Sequence, residues 1–149
     1  MQRAKWVFIL LCFVSPTLHA LEVSYGQFFK VAHIKRADGQ LILPVERKKY
    51  YNVRILNKDT YQFVKTCQAP CVQSVSNVEV AVLQVRAAKE RPDMWIATVA
   101  FNQAWQGTFL VFRQGEKYSI KPPADLIFLQ ETLKQNTHAA LIAAIKDLV

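Results

Sequence analysis

The chain has 149 residues, 19 of them basic against 11 acidic, for a formal charge of +8, with 52% hydrophobic and 20% charged residues. That length is one domain's worth of polypeptide, and its apolar content excludes intrinsic disorder. Four glycines and six prolines exclude a collagen-like or Pro/Gly-rich fibre, and three cysteines are too few for a disulfide-dense miniprotein.

The first twenty residues read as a leader. Arg3 and Lys5 precede the apolar run Trp6–Val14, and Ser15 to Ala20 form a polar tail broken by Pro16. This charged–apolar–cleavable layout is that of a secretory signal peptide. The apolar run falls well short of the roughly 20 residues that span a bilayer. Cleavage is expected after Ala20, with Thr17 as the alternative because Leu18 is large for the third residue before the cut. The expected division is a signal peptide over 1–20 and a single β-rich domain over 21–149, destined for the periplasm or the exterior. The mature part keeps 17 basic and 11 acidic residues, a net charge of +6, and no apolar run of membrane length.

The elements then follow in chain order. Val23 to Ile34 is rich in aromatic and β-branched residues and predicts a strand, and Asp38-Gly39 predicts a hairpin turn. Gln40 to Val45 is its short partner, with Pro44 marking an edge or end. In Tyr50 to Leu56 the alternation puts Tyr51, Val53 and Ile55 on one face and Asn52 and Arg54 on the other. Thr60 to Thr66 predicts another strand, with Tyr61 and Phe63 on one side. Val72 to Val85 and Met94 to Phe101 alternate as strands joined by a polar connection over 87–93. Asn102 to Gly107 reads as a loop carrying Trp105, followed by short strands at Thr108–Arg113 and Tyr118–Ile120.

Lys121-Pro122-Pro123 ends the strand region and opens a helical segment over 123–149. There Asp125 suits a helix N-terminus, Leu126, Leu129 and Leu133 recur with helical spacing, and Asn136-Thr137 can cap a second helix. Leu141, Ile142, Ile145, Leu148 and Val149 form its apolar stripe. The expected fold is mainly β (α+β): an antiparallel sheet, curved or sandwich-like, of about eight strands, followed by one or two C-terminal helices.

Two cysteines lie beyond the leader, Cys67 and Cys71, in the run Cys-Gln-Ala-Pro-Cys. In an oxidising compartment they are expected to form a disulfide that pins a turn. A thioredoxin-like redox site would have two intervening residues within a βαβ pattern, and here there are three between predicted strands. His33 and His138 are far apart in sequence and read as structural. No Gly-x-Ser-x-Gly elbow, His-Glu-x-x-His motif or phosphate-cradling Gly-rich loop occurs. No catalytic residue, metal site or cofactor is therefore assigned, and a non-enzyme is expected.

The charge distribution carries more information. From Lys30 to Lys65 nine cations face three anions, while Thr66 to Val149 holds eight cations and seven anions. The surplus resides in the first hairpins, around Lys35, Arg36, Arg47, Lys48, Lys49, Tyr50 and Arg54. A basic surface with neighbouring rings attracts an acidic protein face or an anionic envelope polymer. Its bland counterpart is a solvated, Lys-edged sheet that resists edge pairing. Trp105, in its polar loop, is a further candidate contact. The sequence thus leads to the expectation of an exported, non-enzymatic binding or assembly accessory of the bacterial envelope, in a secretion, pilus or conjugation type apparatus. It would contact an acidic partner through the basic face, without a stable nucleic-acid complex. The alternative is a secreted inhibitor or effector that binds a soluble enzyme through the Trp105 or Cys67–Cys71 loop.

Overall fold

A computed structural model describes residues 19–45 and 52–149. The leader up to residue 18 and Arg47, Lys48, Lys49, Tyr50 and Tyr51 lie outside the described residues. Among the described residues ten strands and two helices run in the order β1 (His19–Tyr25), β2 (Phe29–Ala37), β3 (Gln40–Ile42), β4 (Val53–Ile55), α1 (Lys58–Thr66), β5 (Cys71–Gln73), β6 (Val80–Ala88), β7 (Arg91–Phe101), β8 (Trp105–Gln114), β9 (Lys117–Lys121), β10 (Leu126–Phe128) and α2 (Glu131–Lys146). The fold is mostly β, with helices at the middle and the end.

The strands form two five-stranded sheets. The first has the order β10-β2-β1-β5, with β3 also on β2. Because β1 pairs along nearly the whole of β2, β3 and β10 must share the other side of β2 end to end. The second sheet runs β4-β8-β7-β6, and β4 and β9 share the outer side of β8 in the same way. All pairings are antiparallel except the short β1–β5 ladder.

Turn chemistry sets the registers. Asp38 and Gly39 both have positive φ, 51° and 78°, the requirement of a two-residue hairpin turn that matches strand twist. The β7–β8 connection closes by Ala104, so Trp105 is the first residue of β8 rather than a loop residue. Asn102 holds that turn: its Oδ1 accepts the Glu79 N–H at 2.6 Å, and its Nδ2 donates to the Asn77 carbonyl at 2.7 Å and the Tyr25 hydroxyl at 3.1 Å. Gly26 has φ +55°, and a Cβ there would meet the Val75 Cβ and carbonyl at 3.1 Å, so both conformation and space call for glycine.

Inward residues of both sheets and α2 form one cluster. Phe29 bridges the sheets, its ring centroid 5.0 Å from those of Tyr25 and Phe101, and Phe128 approaches Phe101 at 6.2 Å. Truncating such a buried Phe to Ala costs about 3–5 kcal/mol.

The expected strand over Val23–Ile34 is two strands, β1 and β2, separated by a turn, and the expected strand over Val72–Val85 is divided between β5 and β6. Three further elements take a different form. Thr60–Thr66 is helical, because the Asn57 side chain accepts the Thr60 N–H at 2.8 Å and caps α1. Thr60 and Val64, four apart, then face inward together. The segment 123–130 is not a helix: Leu126, Ile127 and Phe128 pair with Val31, Lys30 and Phe29 as β10. Asn136-Thr137 caps no second helix, since the Thr137 hydroxyl donates to the Leu133 carbonyl at 2.8 Å within one continuous α2. The buried stripe is Leu133, Thr137, Leu141 and Ile145, while Leu148 and Val149 lie exposed beyond it.

Candidate functional site

A cavity of about 540 Å³ opens where the two sheets meet. One wall comes from β3, through Leu41 and Ile42, and from Leu43 and Val45 just after it. The facing wall is Arg54 and Ile55 of β4, and α1 contributes Tyr61. Ile42 is 47% exposed, Val45 54% and Tyr61 41%. Apolar residues left this open at the mouth of a groove are a recognised mark of a contact surface. In the sequence Val45 is followed by Glu46 and the run Arg47-Lys48-Lys49, which lie outside the described residues.

The expected basic residues do not act as one set. Lys35 is exposed and lies opposite Ile42 across the β2–β3 ladder, which places it on the outer face beside the groove. Arg54 lies in the groove itself. Arg36 turns to the opposite face, where its Nη1 donates to the Cys67 carbonyl at 2.8 Å, the Lys65 carbonyl at 3.1 Å and the Val64 carbonyl at 3.3 Å. It closes the C-terminus of α1, as a cation at that end should. Trp105 is fully buried and presents no surface to a partner.

Cys67 and Cys71 form a disulfide with Cα atoms 5.6 Å apart, between the end of α1 and the start of β5. Its intervening residues, Gln68, Ala69 and Pro70, are exposed.

A second polar arrangement had no signal in the sequence. Between Leu21↔Ile34 and Val23↔Val31 the ladder shifts register, so Ala32 and His33 of β2 oppose Glu22 alone. This bulge puts His33 at φ +64°, a left-handed conformation uncommon outside glycine. Asp125 meets it from the turn before β10: its backbone carbonyl accepts the Ala32 N–H at 2.8 Å, and its Oδ1 accepts from His33 Nδ1 at 2.6 Å. Asn52, just before β4, donates its Nδ2 to Asp125 Oδ2 at 2.8 Å. The carboxylate is buried, whereas the His33 side chain is 70% exposed. Asp125 thus satisfies donors from both sheets instead of starting a helix, and Asn52 points inward instead of outward.

An Asp–His pair is the orienting half of a nucleophilic triad. Among the described residues no hydroxyl or thiol is hydrogen bonded to the His33 ring, and both described cysteines are tied in the disulfide. The arrangement ties β2, β4 and β10 together and presents an oriented imidazole on the surface. Among the described residues no group of three or more His, Cys, Asp or Glu forms a metal cluster, and no helix is long and apolar enough to cross a membrane. Compared with known proteins, the chain matches no family, no curated protein and no solved structure.

Proposed function

We propose that the protein is an exported binding or assembly accessory of a bacterial envelope apparatus, which holds an acidic protein or anionic polymer at the groove between β3 and β4. The observation that carries this reading is the groove, open, apolar-walled and lined by Arg54, together with the run Arg47-Lys48-Lys49 that follows Val45 in the sequence. The leader-like first twenty residues and the Cys67–Cys71 disulfide fit an oxidising destination. Of the alternative contact sites, Trp105 is buried, and the exposed Cys67–Cys71 loop is the part left to an inhibitor-like role.

The test is fractionation of the producing cell, followed by binding of the purified protein to isolated envelope. The expected result is a processed chain outside the cytosol whose retention falls steeply with salt, as screening requires. Reversing charge at Arg47, Lys48 and Lys49 together should abolish retention with the melting temperature unchanged. A cytosolic chain with Trp6–Val14 still attached, or retention indifferent to salt and to the triple reversal, would overturn the proposal.

A further inference from the structure

The outer face of the second sheet departs from what an uncovered antiparallel sheet presents. Such a sheet packs one face on the core and turns polar residues to water at the alternate positions. In β7 and β8 the inward positions include Trp95, Ala97, Phe109 and Val111, all buried. The outward positions beside them are Met94, Ile96, Leu110 and Phe112, which are large, apolar and only half-buried. The registers Met94↔Phe112 and Ile96↔Leu110 set these four side by side as one patch. It lies at the end of β8 away from β4, which pairs at Trp105–Gly107, and it shares no lining residue with the groove. The chain end after α2 approaches from the other side of the sheet, where Val149 shares a cavity with Trp95 and Asp93.

Charge frames the patch. One cross-strand row reads Arg86, Ile96, Leu110, Lys121 over β6, β7, β8 and β9. The apolar pair is bracketed by a cation on each outer strand. Lys117 shares the face of Lys121 by strand alternation, and the Arg91 guanidinium lies 5.3 Å over the Phe112 ring. Arg86, Lys117 and Lys121 are exposed and enter no ion pair among the described residues. The single acid within these four strands, Asp93, lines the cavity on the Trp95 side.

Dimensions select the occupant. Strands lie about 4.8 Å apart, so β6 and β9 are about 14 Å apart across the patch. An α-helix with its side chains is about 10–12 Å wide. Laid along β7 and β8, it covers the apolar residues and brings its flanks within reach of both cation rows. Insertion into a bilayer would sink the apolar groups below the headgroups, whereas here the cations are exposed and the apolar residues half-buried. We infer that an acidic amphipathic helix of a partner protein docks along β7 and β8. Its apolar stripe covers Met94, Ile96, Leu110 and Phe112, and its acidic flanks meet Arg86 on one side and Lys121 on the other. This surface goes beyond the groove and stands independently of it.

The experiment displays a library of helices of about sixteen residues, about 24 Å long, against the purified oxidised protein. Each helix is carried on a monomeric helical scaffold and randomised along its outward face. The expected binders carry an apolar stripe with Asp or Glu on both flanks, and their affinity falls as salt rises. Arg86→Glu and Lys121→Glu, at exposed positions, should each weaken binding about fivefold with the urea midpoint unchanged. Ile96→Thr with Leu110→Thr keeps residues that suit a strand, removes the apolar contact and should abolish binding. Ile42→Lys, in the groove, should leave binding unchanged. Binders without acidic flanks, or indifferent to both reversals, would overturn the acidic helix. Binders lost in Ile42→Lys but kept in both reversals would overturn this inference and leave the groove reading standing. No selected helix, or retention by phosphatidylglycerol vesicles in place of any helix, would overturn it as well.

Discussion

Arg36 can be tested apart from the other expected basic residues. Its guanidinium spans the Val64, Lys65 and Cys67 carbonyls at the end of α1, and the Lys65 contact is exposed. Arg36→Met keeps most of the stem and removes the donors. A hydrogen bond involving a charged group contributes about 1.5–3 kcal/mol net. Nη1 has only two hydrogens to share among three carbonyls, and one acceptor is solvated, so about 2–3 kcal/mol is the expected loss. For a chain of this length each kcal/mol moves the melting temperature by roughly 3–5 °C, giving a drop of about 6–15 °C. The assay is urea and thermal unfolding of the oxidised protein, followed by far-UV circular dichroism, with Lys35→Met alongside. Lys35 is exposed on the outer face, so its variant should stay within about 0.5 kcal/mol of the parent. Equal stabilities for the two variants would refute the reasoning.

Three further outcomes are expected. Asp125→Ala leaves the buried Asn52 amide without its acceptor and frees His33 from the bulge, and should cost about 2–3 kcal/mol in chemical denaturation, whereas His33→Ala, at an exposed ring, should cost less. Burial holds the His138 imidazole below its ordinary value, Lys134 lowers it further and Glu131 partly opposes them. The unfolded chain therefore takes up that proton first: the contribution is fully present above the unfolded value of 6.5 and is lost as pH falls below it, so the stability decline between pH 7.5 and 5.5 should be shallower in His138→Gln. Reducing Cys67–Cys71, which closes a five-residue ring, should lower stability by about 2 kcal/mol in the loop-entropy account, measured as a shift in urea midpoint with and without reductant.

Local chemistry wrote some of the fold plainly into the chain. Asp38-Gly39 is readable because only a few residues tolerate two successive positive φ angles, and Val53 and Ile55 alternate with Arg54 as a half-buried strand must. The α1 segment misleads because Thr, Tyr, Phe and Val favour strands. What decides it is a cap at Asn57 and the packing of Thr60 with Val64. Trp105 has polar sequence neighbours, yet its burial depends on where β8 begins. The His33–Asp125–Asn52 arrangement joins residues 92 and 73 positions apart, and nothing near any of them announces the others. Charges could be counted in advance, but not sorted: Arg36 is consumed by a helix end while Arg54 stays in the groove.

The pairing of β10 with β2 joins Leu126 to Val31, 95 positions apart. A contact that distant forms late, because the intervening loop must close before anything is gained. The early β1–β2–β3 meander can assemble as it emerges, but its flank at Phe29 and Val31 stays uncovered until 126–128 have been made. A nascent or C-terminally shortened chain thus carries a sticky, unfinished ribbon. Its fate hangs on whatever shelters it before the last strand arrives.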